Sequence, residues 1–525
     1  MGAGVQRDVL LGRGVAVDLL RQREPAAVAG VLNHSGPQAW TAFDEEVRRI
    51  GRRSYEPVRG KRIEARICDP DGRIRASALS PWRLTPMELF FLDYVAWIPA
   101  VRRRARRVLR RAGAAHPPLE LVLIRCADWA PPVRQRARRV LAWGISKDPV
   151  ESLIRLTPLA LRLGRREHGA WALEQLEAAF SGRYSLLAAW WRPGRPSTTW
   201  SWNSLTPAQR EHILDRLRRH ADRPTRRFAA RLSLEIGGTG VRELARRAAA
   251  EPDPTAARLW TDAALRAMAA DGPDDGAVNA LLGGRIPMVR ASGVIALRGA
   301  GRATEAGRFL ADRSGLVRAC ARWLVSQSGG EPVARYLALV TDREHVSPHA
   351  VTGFAECAER EHAPLLRSLL DHPSGTVRAA VVAGLRRLDD ATDHAVLLRL
   401  LDDPSASVAR EASVSLLQVV ERLDHHHLAE RLEPERPLHV RRAAFRLLRA
   451  RGGIHELRAA VTLSKDTDPL LRSAARAIVI GWDWRLTLTT QEADLSELAA
   501  LLERSEHLFH PYDMWRRRSR LGLDR

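Results

Sequence analysis

Residues 371–380 read DHPSGTVRAA, and variants of this phrase return along the whole chain. It appears as DPDGRIRAS at 69–77, DWAPPVRQRA at 128–137, DRSGLVRACA at 312–321, DDPSASVARE at 402–411 and DTDPLLRSAA at 466–475. Each copy carries an Asp- or Pro-bearing turn and then a Val-like residue, followed in all but the copy at 402–411 by Arg, with Ala close behind. The residue after the Val-like position falls at Arg75, Arg102, Arg134, Arg227, Arg258, Arg290, Arg318, Thr352, Arg378, Ala409, Arg441 and Arg472. Most steps are 26 to 34 residues, and the 93-residue gap from Arg134 to Arg227 has room for three periods of 31. Self-similarity at such a period is the signature of a repeat array.

The chemistry of the phrase predicts a helix start. Asp side chains accept from the free N–H groups of a first helical turn, and Pro is tolerated there because its missing N–H would have no partner. After the turn, Val377, Ala380, Val381, Leu385 and Leu388 fall on one helical face. A second amphipathic segment precedes each turn, as at 363–370 and 395–401. One period is therefore a helical hairpin that cannot bury its apolar face alone, so neighbours must stack.

The Asp-turn-Val-Arg-x-x-Ala pattern resembles HEAT repeats over about residues 60 to 480, and the short period resembles the HEAT-like subtype also found in phycobilin lyases. The resemblance implies an all-α fold, an α-solenoid of about 13–14 stacked hairpins wound as a HEAT-like superhelix. It also implies that Arg75, Arg134, Arg318, Arg378 and Arg472 are structural links between repeats, and that the second helix of each hairpin lines a concave face. Thr352 and Ala409 depart from the pattern.

Along the chain, residues 1–58 read as an N-terminal helical cap and 59–250 as basic repeats interrupted by a Trp/Pro-rich irregular segment at 181–203. Residues 251–483 read as neutral repeats, and 484–525 as a capping helix and basic tail. The glycine pairs Gly329-Gly330 and Gly452-Gly453 sit where helices should end. The four cysteines, Cys68, Cys126, Cys320 and Cys357, form no C-x-x-C pair, which points to a reducing compartment. No signal peptide or membrane-spanning run is legible, so the expectation is a cytoplasmic protein.

Charge supplies the second informative pattern. The chain holds 84 Lys+Arg against 61 Asp+Glu, a net of +23. Residues 1–250 carry 46 basic and 24 acidic residues, a net of +22, and residues 251–525 carry 38 and 37, a net of +1. A genome-wide preference for arginine over lysine would act on both halves alike, so the asymmetry is local. Its sharpest expression is VRRRARRVLRRAG at 101–113. There Arg103, Arg106, Arg107 and Arg110 fall opposite the apolar face, and Arg136, Arg138 and Arg139 follow in the next repeat. Such stripes suit polyanion or partner binding through forked guanidinium contacts. Trp190, Trp191, Trp200 and Trp202 are candidate interaction aromatics, suited to stacking on bases, to a protein interface, or to packing between irregular helices.

Nothing in the sequence reads as catalytic. There is no P-loop, dinucleotide fingerprint or nucleophile motif, and no cofactor site is expected. His425, His426 and His427 are adjacent, so a helix should point them in different directions, and no metal site is expected. Asp389, Asp390, Asp393, Asp402 and Asp403 read as helix-end residues. The leading functional reading is a non-catalytic binding scaffold whose Arg-rich first half engages an acidic partner, while the neutral half meets a second protein surface. The alternatives are a nucleic-acid-binding protein with an arginine-lined groove, related to HEAT-like DNA alkylpurine glycosylases, and a bilin lyase-like chaperone. Those glycosylases are much shorter, and their catalytic residues do not map onto positions here. No small-molecule substrate or membrane partner is evident, and the oligomeric state is not legible.

Overall fold

The computed structural model describes residues 2–20, 32, 36–53, 67–68, 75, 78–79, 118–181, 205–390, 393–484 and 495–523, and every regular element among them is helical. The chain divides into two compact units, Met1–Ala267 and Met268–Arg525.

In the first unit, α1 (Gly2–Leu20) packs on α2 (Pro37–Arg53), and α3 (Leu119–Cys126) on α4 (Pro131–Lys147). Then come α5 (Pro149–Leu163), α6 (Ala170–Ser181), α7 (Pro207–Arg218), α8 (Arg223–Ile236), α9 (Val241–Ala250) and α10 (Pro254–Asp271), within which the division falls. The second unit contains α11 (Asp275–Leu282), α12 (Pro287–Gly299), α13 (Gly315–Gln327), α14 (Pro332–Thr341), α15 (Pro348–Ala355), α16 (Ala363–Arg367), α17 (Gly375–Arg387) and α18 (His394–Leu400). It continues with α19 (Ala406–Leu416), α20 (His425–Glu430), α21 (Leu438–Arg451), α22 (Gly453–Leu463), α23 (Pro469–Gly481), α24 (Leu495–Arg504) and α25 (Pro511–Leu521). The second helices of successive hairpins lie side by side: α12 on α13, α15 on α17, α17 on α19, and α19 on α21. The array of stacked hairpins predicted by the period is what the described residues form.

The recurring phrase does two jobs. The third residue of each second helix, Val133, Val289, Val317, Val377, Val408, Val440 or Leu471, is buried against the preceding helix. Four residues on, one turn further along the same face, six of the seven carry a small residue, Ala137, Gly293, Ala321, Ala412, Ala444 or Ala475, and the Val377 helix carries Val381. This spacing lets backbones approach closely. Gly293 is the extreme case, since a Cβ there would lie 2.7 Å from the Leu282 nitrogen and 2.9 Å from the Leu281 carbonyl carbon.

The turn differs from the expected one in a specific way. The Asp of the phrase does not itself cap the helix. Asp128, Asp312, Asp403 and Asp466 stand two residues before the cap, and each accepts the cap residue's own N–H, at 3.0 Å from Ala130 and 2.7 Å from Ser314, Ser405 and Asp468. The capping role falls to a later residue where one is suitable, as with Asp222 on the Thr225 N–H (3.2 Å) and Asp468 on the Leu471 N–H (2.8 Å). His220 and His372 fill the pre-cap position in two repeats, each accepting a cap N–H through Nδ1 at 3.0 Å. Gly329 (φ 76°) and Gly452 (φ 74°) take left-handed conformations at helix ends, the geometry glycine supplies at lowest cost.

Candidate interaction surface

Counted from the helix starts, the repeat arginine is the fourth residue of its helix: Arg134, Arg226, Arg290, Arg318, Arg378, Arg441 and Arg472. Its Nη1 turns back to the helix's own turn. Arg378 donates to the carbonyls of His372 (2.7 Å) and Pro373 (3.1 Å), and Arg290 to those of Gly284 (3.0 Å) and Arg285 (3.1 Å). Arg134 clasps the Asp128 carbonyl (2.7 Å) and Arg472 the Asp466 carbonyl (2.6 Å) in the same way.

The other edge of the guanidinium reaches forward to the pre-cap carboxylate of the next repeat. Arg290 meets Asp312 at 2.9 and 2.8 Å, Arg378 meets Asp403 at 3.0 and 2.6 Å, and Arg441 meets Asp466 at 3.1 and 3.2 Å. Each arginine thus satisfies two orphan carbonyls and one carboxylate, which offsets the cost of its burial.

Three positions of the sequence-based register shift by one residue. The helix starts put Arg226, Ala257 and Val351 at the repeat position, next to Arg227, Arg258 and Thr352. In the Arg226 repeat the two jobs are shared between neighbours. Arg226 clasps the His220 carbonyl (2.6 Å) and pairs with Glu251 (3.0 Å), while Arg227 forks onto Asp253 at 2.8 and 2.9 Å. Arg318 also departs from its neighbours. The pre-cap residue of the following repeat is His345, which offers no carboxylate, and Arg318 turns to Glu356, which Arg322 also holds at 2.6 Å.

In the first unit the corresponding link is an ion cluster. Asp128, fully buried, receives Arg75 at 3.0 Å, Arg125 at 3.1 Å and Arg48 at 3.4 Å, and Arg125 also pairs with Asp44. Beside it Trp129 is 70% exposed with the Arg75 guanidinium 5.9 Å from its ring. No sequence signal distinguished this tryptophan, since exposure depends on where the turn sits.

Of the residues singled out for partner binding, Arg136 lies half-buried on α4. Arg138 is placed over the Trp171 ring of α6 at 4.5 Å, and burial pushes its pKa below the ordinary arginine value. Arg139 lies on α4, next to Arg138 in sequence. Arg103, Arg106, Arg107, Arg110, Trp190, Trp191, Trp200 and Trp202 lie outside the described residues. Much of the basic surplus later in the unit is matched locally, by Arg231 with Glu177 (3.2 Å), Arg247 with Glu243 (2.9 Å) and Arg258 with Asp262 (3.6 Å).

Among the described residues, no group of three or more His, Cys, Asp or Glu is placed to hold a metal ion. The histidine run nevertheless departs from the expected splay. His425 opens α20, its ring centroid 4.1 Å from that of His426 and 4.3 Å from that of His455 on α22. Asp393 caps α18 through the Val396 N–H at 3.0 Å, and Asp402 is held by Arg431 at 2.7 Å. Asp390 is buried and paired with Arg367, and Asp389 takes a positive φ of 55° after α17.

Comparison with known proteins agrees with this architecture. Residues 331–418 match the family model for HEAT repeats, and no curated protein matches the chain. The described residues form a HEAT-like, all-α array of stacked helical hairpins. Arrays of this kind present extended surfaces for partner proteins. No helix among the described residues is long and apolar enough to cross a membrane.

Proposed function

We propose that the protein is a non-catalytic binding scaffold whose arginine-rich first half engages an acidic partner protein. The observation that carries this reading is the uneven charge, +22 in residues 1–250 against +1 in residues 251–525. The ladder sharpens it. In the second unit Arg290, Arg378 and Arg441 are matched by carboxylates of the next turn and Arg318 by Glu356, so they are scaffold and leave little net charge. The excess in the first half comes from arginines added beyond that ladder, most densely at Arg103, Arg106, Arg107 and Arg110, with Arg136, Arg138 and Arg139 in the following repeat.

Labelled polyglutamate tests this directly. Changing Arg103, Arg106, Arg107 and Arg110 together to Glu should weaken its binding to the full chain by at least about tenfold, roughly 1.4 kcal/mol, with the thermal midpoint nearly unchanged. Undiminished binding would contradict the proposal. Duplex DNA is the comparison probe: much tighter binding to DNA, falling steeply with salt, would favour a nucleic-acid partner instead.

A further inference from the structure

The outward side of the last second helices changes character between neighbours. On α21, residues 439, 442, 446 and 449 are His, Arg, Arg and Arg; at the equivalent positions of α23, residues 470, 473, 477 and 480 are Leu, Ser, Ala and Ile. No carboxylate occupies any of these eight positions. Leu470 is 72% exposed and Ile480 49% exposed, with Ala477 exposed between them. Single exposed apolar residues are ordinary on a protein surface. These fall at i, i+7 and i+10, one continuous helical face about 15 Å long.

The starts of the two helices are tied together, because Arg441 pairs with Asp466 (3.1 Å) and Arg442 with Asp468 (3.0 Å) in the turn that opens α23. Arg449 faces Glu456 only at 3.7 Å, and the Arg446 guanidinium donates at 2.6 Å to Ser413 Oγ, a neutral hydroxyl. The apolar stripe of α23 is thus tied at its start to a helix that carries more cation than its own carboxylates match, with Arg446 on the side toward α19.

We propose that α21 and α23 form a docking surface for an acidic amphipathic helix of a partner protein. Its apolar face would lie on Leu470, Ala477 and Ile480, and its carboxylates would turn toward Arg442, Arg446 and Arg449. A helix fits because an apolar anchor set at i, i+3 or i+4, and i+7 matches the length of the stripe, while its flank carries charge on the side facing the arginines. A phosphate backbone would gain nothing from Leu470 and Ile480, and a membrane surface would need more apolar area than this one helix shows. The surface uses residues 439–480 alone and stands independently of the reading of the first half.

The test uses the full chain and a fluorescein-labelled peptide about five helical turns long, with leucines on one face and glutamates on the other, followed by anisotropy. Two control probes are a scrambled peptide of identical composition and an amphipathic peptide of equal length with glutamine in place of glutamate. The account predicts that the amphipathic peptide binds at least about tenfold more tightly than either control. Leu470→Glu with Ile480→Glu, and separately Arg446→Glu, should each weaken it by a similar factor. Leu470→Ser with Ile480→Ser should also weaken it, which guards against a folding effect of the buried-side neighbours, and thermal midpoints should stay unchanged. Arg103, Arg106, Arg107 and Arg110 changed together to Glu should leave this peptide's binding intact, which separates the two surfaces. Equal binding of the scrambled peptide, no binding of the amphipathic one, or variants that bind like the parent would overturn the proposal.

Discussion

Arg378 and Asp403 stand 25 residues apart in sequence, and two parallel hydrogen bonds of 3.0 and 2.6 Å join the guanidinium edge of one to the carboxylate of the other. The same Asp403 fixes its own turn through the Ser405 N–H at 2.7 Å. One carboxylate therefore ties the turn of its repeat to the helix of the repeat before, and neither group has much access to water, at 14% and 8% side-chain exposure. Removing the acid leaves a poorly solvated cation. Asp403→Ala should cost roughly 3 kcal/mol in urea unfolding, whereas Arg378→Met with Asp403→Ala should cost little beyond the single change, because no unpaired charge then remains. Additive losses would show that the pair is not coupled.

Acid should loosen the ladder. Burial opposes ionisation of Asp312 and Asp253, but the forks from Arg290 and Arg227 outweigh it and hold both carboxyls below the usual range; Glu356 behaves likewise under Arg318 and Arg322. A carboxyl whose folded pKa lies below its unfolded one contributes stability above about pH 4 that is lost as pH falls through the folded value. The urea midpoint should fall steeply below about pH 4, and Asp312→Asn should show a shallower fall in that range.

The imidazole cluster adds a loss at milder pH. Burial first, then Arg451, His425 and Arg458, push the His455 pKa down to about 4. Its neutral form is thus favoured by folding, so its contribution is complete above about pH 6.5 and disappears as pH falls toward 4. Proton NMR should place the His455 titration near that value, and His455→Gln should flatten the stability profile between about pH 6.5 and 4. A titration at the ordinary histidine value would show that the ring is not confined against His425.

Gly293 should reverse the usual helix preference. Ala in place of an interior helical Gly ordinarily stabilises by about 1 kcal/mol. At Gly293 the added methyl meets the α11 backbone, with the Leu282 nitrogen at 2.7 Å. Backbone cannot yield as a side chain does, so Gly293→Ala should destabilise by about 1–3 kcal/mol, the range for overpacked cores. A raised thermal midpoint would show that α11 and α12 can separate at little cost.

The hairpin array was legible because period and helical spacing repeat over hundreds of residues, and each copy reinforces the others. Single-residue register was not. In Arg226-Arg227 two adjacent arginines satisfy the same pattern, and only the carbonyls at 220 and 221 decide which one clasps the turn. The exchange of Asp312-type carboxylates for Glu356 was also hidden, because the missing partner at His345 is a matter of three-dimensional neighbours. Arg138 read as a surface arginine from its spacing, yet Trp171 lies 33 residues away in sequence and its ring is what Arg138 covers. The exposed stripe of α23 escaped notice for a related reason: Leu470 and Leu471 look alike in sequence, and packing alone turns one outward.

The central claim, that the basic first half holds an acidic protein, is tested most directly by capture from a lysate of the protein's own cells, with and without nuclease. The full chain and the chain with Arg103, Arg106, Arg107 and Arg110 changed to Glu are compared side by side. The account predicts an acidic protein that is retained after nuclease treatment by the parent chain and lost by the variant. Captured material that disappears on nuclease treatment, or that the variant retains in full, would contradict it.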